Sequence, residues 1–290
     1  MSIINLTNVA NQALPSGVTF SDNTLKLLKK SVFKDTLTIK LNHRELTTLN
    51  IVVEPSVEAK LILELNDTDS SDVTYDIDMK LMENSQVKFL LISEVQSNNA
   101  KLNFKSSSLA DSNMEFIGGF VNNVMDAKLF LDLDGKGANL RVRTITVSST
   151  DHSQKLDIHM THYAPFSSAE MTNVGIAGQN GIIKINGVGQ IEQGMNGSSA
   201  FQTLKGIITN DKAQIDVNPI LIIDEHDVKA GHAATVGKME DEVIFYLRSR
   251  GITLEDAQRL IINGYLQPII DEIDDELIKE NVAKIVNERI

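Results

Sequence analysis

Along most of this chain, apolar and polar residues change places at every second position. Alternating or apolar segments recur every 11 to 15 residues between about 35 and 236. They begin with Thr36–Leu41, Leu49–Val53, Lys60–Leu65, Thr74–Leu81, Gln86–Ile92, Lys101–Lys105 and Met114–Phe120. They continue with Lys128–Leu133, Asn139–Val147, Lys155–His162, Ala169–Ile176, Ile182–Ile191, Ala200–Ile208 and Gln214–Ile223. Clusters of Asn, Asp, Ser and Gly, such as Asn66–Asp72 and Gln193–Ser199, separate them. A period of two broken by turn residues predicts many short strands with tight connections. The absence of intervening helical patterns argues against a βαβ sheet. The spacing alone fits a sandwich, a barrel or a solenoid. About fourteen strands are many for one sandwich, and few Asn-Gly or Asp-Gly pairs stand where two-residue hairpins need them, so both details favour the solenoid.

The two ends are patterned differently. Residues 1–34 form a short N-terminal segment, with a turn at Leu14–Val18 and a possible short helix over Asn23–Ser31. Residues 35–237 are the β-body, and 238–290 a helical region. In the latter, Val243, Ile244, Tyr246 and Leu247 share one helical face. Acidic Glu240–Glu242 precede them, Arg248 and Arg250 lie in the last turn, and Gly251 is placed to end the helix. Thr253–Asp256 resembles an N-cap with an acid at N3. Leu254, Ala257, Leu260 and Ile261 are the expected inner face of a second helix, punctuated by Gly264 and Pro268. Ile273, Leu277, Val282, Ile285 and Ile290 make a last apolar stripe, suited either to packing on the β-body or to docking a partner.

Composition narrows the function classes. A chain of 290 residues can bury a sizeable core. Its net charge of −12 argues against a general nucleic-acid or anionic-membrane binder. No apolar run approaches the roughly 20 residues of a membrane span. The first residues lack a signal-peptide pattern, so the cytoplasm is the expected location. There is no cysteine, which excludes disulfides, thiolate catalysis and clusters held by this chain's own thiolates. Gly135-Lys136-Gly137 and Gly187-Val188-Gly189 lack the third glycine and following helix of a dinucleotide fingerprint, and there is no P-loop. Asp132-Leu133-Asp134-Gly135 starts like a calcium loop but lacks the later ligands.

The stretch Asn218–Gly251 is more specific. It holds an apolar strand after Asn218-Pro219, the segment Asp227–Gly237 (DVKAGHAATVG) and Phe245–Ile252 (FYLRSRGI), followed by Ala257 and Asn263–Leu266 (NGYL). This ordered string resembles the C-terminal signature of the SufB/SufD family of iron–sulfur cluster assembly proteins. The resemblance implies a mainly β fold, a right-handed parallel β-helix with a small C-terminal α-helical domain. It also implies a non-catalytic scaffold subunit of the Suf complex. The last β-helix coils would meet a SufB-like subunit or a second copy, and the C-terminal helices a SufC-like ABC ATPase. Phe245, Tyr246, Arg248, Arg250, Tyr265 and Leu266 are the expected partner-binding residues. A carbohydrate-active β-helix enzyme is the alternative; it needs carboxylates with Lys or Arg on one sheet face, usually behind a secretory signal. A surface fibre is disfavoured for want of that signal.

Two histidine sites stand out. His159 and His162, with His152 upstream, form an HxxH pair. In a strand their odd offset puts them on opposite faces, which favours structural roles. His232 has the small neighbours Gly231, Ala233 and Ala234, which would leave its imidazole accessible, and a neutral imidazole is a good iron or zinc ligand. The resemblance places at this position a histidine proposed to ligate a transient iron–sulfur cluster shared at a subunit interface, with none bound stably. Where the SufB branch carries a glutamate next to it, this chain has Ala233. Where that branch carries a cysteine, it has Leu204. The chain is therefore closer to the SufD branch.

Overall fold

The computed structural model describes residues 14–271 apart from 30, 32, 34 and 45, the backbone of 2–5, and positions 273, 279, 280 and 284. The chain starts with β1 (Ser2–Asn5), β2 (Val18–Ser21), β3 (Thr24–Leu27), β4 (Leu37–Leu41) and β5 (Thr48–Val53). Longer strands follow: β6 (Glu58–Asp67), β7 (Val73–Leu81), β8 (Gln86–Val95), β9 (Ala100–Ser108), β10 (Asn113–Phe120), β11 (Val124–Leu133) and β12 (Asn139–Ser148). The body ends with β13 (Ser153–His162), β14 (Ser168–Ala177), β15 (Ile182–Ile191), β16 (Ser199–Ile208), β17 (Gln214–Ile223) and β18 (Lys229–Lys238). Two helices close it, α1 (Asp241–Ser249) and α2 (Leu254–Ile270).

Successive strands go to opposite sheets. β1 and the even-numbered strands from β4 to β18 form sheet A; β2 and the odd-numbered strands from β3 to β17 form sheet B. From β3 onward neighbours within a sheet are parallel, with partners such as Leu37↔Leu61 and Ile182↔Gln214. The molecule is thus a parallel β-solenoid of about seven turns. One face of each strand looks inward, and β7 shows the alternation without interruption from Val73 to Leu81. The inward columns fill the space between the sheets, with Phe89, Phe104 and Phe116 meeting at centroid separations of 5.3–5.8 Å. Toward the C-terminal coils the inner columns turn small and polar, through Thr144, Asn173, Gly187, Gly189 and Gln202. At one corner of each coil, Ser56, Asn84, Asp111, Gly137, Phe166 and Gly197 in turn take a positive φ. The turn-forming clusters of the sequence supply residues suited to that conformation at every coil but the one of Phe166.

Asn23–Ser31 is not a helix. Leu25 and Leu27 point inward at a period of two, and β3 pairs antiparallel with β2 and parallel with β5. Asp22 and Asn23, both at positive φ, make the two-residue hairpin turn. Pairing with an existing sheet thus outweighs the helical spacing of the leucines. The turn at Leu14–Val18 is present, closed by the Val18 amide donating to the Pro15 carbonyl at 3.0 Å.

The outer face of sheet A carries a second apolar cluster. Ile62, Leu90, Ile117, Ile145, Val174 and Ile207 lie under α2, which contributes Ile262, Leu266, Ile269 and Ile270. Ile273 joins them; the remaining stripe of Leu277, Val282, Ile285 and Ile290 lies outside the described residues. The inner face of α2 therefore differs from the expected one. Ala257 is buried, but Leu254 and Leu260 are exposed and Ile262 and Leu266 face the sheet. The helix also runs through Gly264 and past Pro268 to Ile270. Burial on sheet A holds the last turn where the missing proline amide costs one hydrogen bond. Thr253 caps the helix, its hydroxyl oxygen accepting from the Asp256 amide at 3.1 Å.

Candidate functional site

The two ends of the solenoid are unlike. At the start, among the described residues, the edge strands β1 and β2 also pair on one side only, but Val18, Leu25 and Leu27 there are buried. At the other end β17 pairs only with β15, and β18 only with β16, among the described residues. Both strands present a free backbone edge, the kind of surface that templates pairing with another chain. The inner residues of β17, Ile215, Val217, Leu221 and Ile223, are half-buried rather than buried, because no further coil covers them. Ile220, Ile222 and Val236 are exposed.

His232 stands in this open coil. It pairs with Gln202 of β16, and Ala234 pairs with Leu204. Residues paired in parallel strands share a face, and Gln202 and Leu204 are buried between the sheets. His232 therefore lies on the inner face, diagonal to Leu204, and is exposed because the solenoid stops there. Its small neighbours matter less: Gly231 faces outward, where an added Cβ would touch the Phe201 ring at 3.2 Å. Among the described residues no group of three or more His, Cys, Asp or Glu side chains could hold a metal. Among the described residues His232 is a single donor without companions.

The other histidines behave as strand geometry requires. His159 points out of sheet B and stacks on Phe130, centroids 4.9 Å apart. His162 is fully buried and inward-facing. The Ser167 hydroxyl donates to the Ala164 carbonyl at 2.8 Å, so His162 Nδ1 donates to Ser167 Oγ at 2.7 Å. Burial pushes the His162 pKa down to about 4. These two residues converge on no common site.

The expected partner residues divide. None of the side chains of α1 is buried; Phe245 is 75% exposed and Tyr246 55%, with the Arg250 guanidinium 5.2 Å from the Tyr246 ring centre. Arg248 is exposed in the last turn, and Gly251 at φ +88° ends the helix, with the Ile252 and Gly251 amides returning to Leu247 and Arg248. Tyr265 is 48% exposed and lines a cleft of about 520 Å³ with Lys205, Ile207, Met239, Val243 and Ile261. Leu266, by contrast, is completely buried against sheet A, where it holds the helix to its own body. Gln202 was not legible as a buried residue. A glutamine between Phe201 and Thr203 looks solvent-facing, yet here Phe201 is outside and Gln202 inside.

The outer face of sheet B holds the charges that the enzyme alternative requires, but they are tied along the coils. Lys155 Nζ lies 2.7 Å from Asp157 and 3.6 Å from Asp126, and Asn186 also donates to Asp157. Asp132 is pushed up to about 6 by burial and by Asp134, against the pull of Lys105.

Fold and site together define a class: a parallel β-solenoid with an open last coil and a helical tail carrying exposed aromatics. Residues 39–265 match the family described as SUF system FeS cluster assembly, SufBD core domain. The chain belongs to this SufB/SufD family. It is 29% identical over 272 residues to the iron–sulfur cluster assembly protein SufD of Bacillus subtilis, covering 83% of this chain and 62% of that protein. It is 29% identical over 158 residues to SufD of Escherichia coli, 54% of this chain and 37% of the relative. SufB of B. subtilis is 27% identical over 171 residues, 59% and 37%. The chain thus spans less than two thirds of the length of these relatives. No helix among the described residues is long and apolar enough to cross a membrane.

Proposed function

We propose that this chain is a cytoplasmic, non-catalytic scaffold subunit of the Suf iron–sulfur assembly complex. Its last coil joins a SufB-like subunit or a second copy of itself, and α1 with the exposed side of α2 holds an ABC-type ATPase of the SufC kind. The observation that carries this reading is the open end. Two parallel edge strands, half-exposed apolar inner residues and an accessible histidine stand together where a further coil would otherwise stack. The nascent cluster is cargo. With no cysteine in the chain, His232 contributes one ligand and the partner supplies the thiolates and any carboxylate. The exposed ring pair of Phe245 and Tyr246, beside Arg248 and Arg250, has the composition of an interface anchor.

The test is anaerobic co-purification with SufC- and SufB-type proteins from the same organism. The wild type should retain both. Phe245→Ala with Tyr246→Ala should release the ATPase and leave the SufB-type partner. His232→Ala should retain both partners while bound iron falls. Retention of neither partner by the wild type overturns the reading. Truncation after Gly237 is a poor substitute, because it would uncover the apolar outer face of sheet A.

A further inference from the structure

We draw no further inference here: the strongest candidate, the cleft of about 520 Å³ between the outer face of sheet A and the two helices, lined by Ile207, Met239, Val243, Ile261 and Tyr265, is an unpartnered apolar face, and nothing in the structure shows what covers it.

Discussion

Gly135 packs so closely on the corner of the preceding coil that a Cβ there would come within 1.9 Å of the Ala110 amide nitrogen. Backbone meets backbone at this contact, so no side chain can swing away. Gly135→Ala should cost at least about 2 kcal/mol, the scale of overpacking in a tight interior. Gly264 is the control: it lies in α2 with nothing within 4 Å of an added Cβ. Gly264→Ala should stabilise by roughly 1 kcal/mol through helix propensity. Urea melts of the two variants check both signs. Equal midpoints would show that the corner can relax.

The pair also shows what the sequence disclosed about the fold. Strand alternation, as from Val73 to Leu81, was readable because one face of each strand is wet. The helical cover was readable in principle too. β8 loses its alternation at Phe89-Leu90-Leu91-Ile92, and in β12 the phase inverts at Thr144-Ile145-Thr146-Val147, with the apolar residues now outward; both mark an apolar outer face. Which side of α2 would meet that face was not legible, since Leu254, Leu260 and Leu266 are equivalent by composition and only packing separates them. The open end was invisible for a different reason. The letters of β17 and β18 are those of ordinary strands, and their exposure follows from having no next coil. His232 could be singled out by resemblance, but its neighbour Gln202 lies thirty residues away in sequence and is joined to it only by the register of the sheet.

His162 makes stability depend on pH. Burial lowers its pKa in the folded chain to about 4 from 6.5, so the unfolded chain binds the proton more tightly. The stabilisation is complete above the unfolded value and is lost as pH falls from about 6.5 toward 4. Between pH 7 and pH 5 the loss should be on the order of 2 kcal/mol. His162→Gln, which keeps a donor for Ser167 but cannot titrate, should lose less over the same interval. Denaturant midpoints at the two pH values decide the matter: parallel losses in both proteins would rule His162 out as the source.

Leu266 and Phe245 should separate stability from association. Leu266→Ala removes a wholly buried side chain and should cost about 2–5 kcal/mol. Phe245→Ala removes one that is 75% exposed and should stay within about 0.5 kcal/mol. The ATPase should be lost with Phe245→Ala at full stability. If only Leu266→Ala weakens retention, and in proportion to its unfolding, then α1 is not the docking surface.

The open coil gives the sharpest contrast of this kind. Val236 continues the inner column of Gly206 in β18 and is 42% exposed, with no coil above it. In the free chain a lysine there can reach water, so Val236→Lys should leave the melting temperature within a few degrees. A partner stacked on the end would have to bury that ammonium beside Ala234 and Ile215 without a counter-charge, which is strongly unfavourable. Association through this end should therefore fall at least tenfold, about 1.4 kcal/mol. Light scattering reports it if the partner is a second copy, and co-purification if it is a SufB-like subunit. The ATPase, which the proposal seats on α1 and α2, should be retained. Undiminished association by the lysine variant would mean that the free edges of β17 and β18 are not where this solenoid meets its partner.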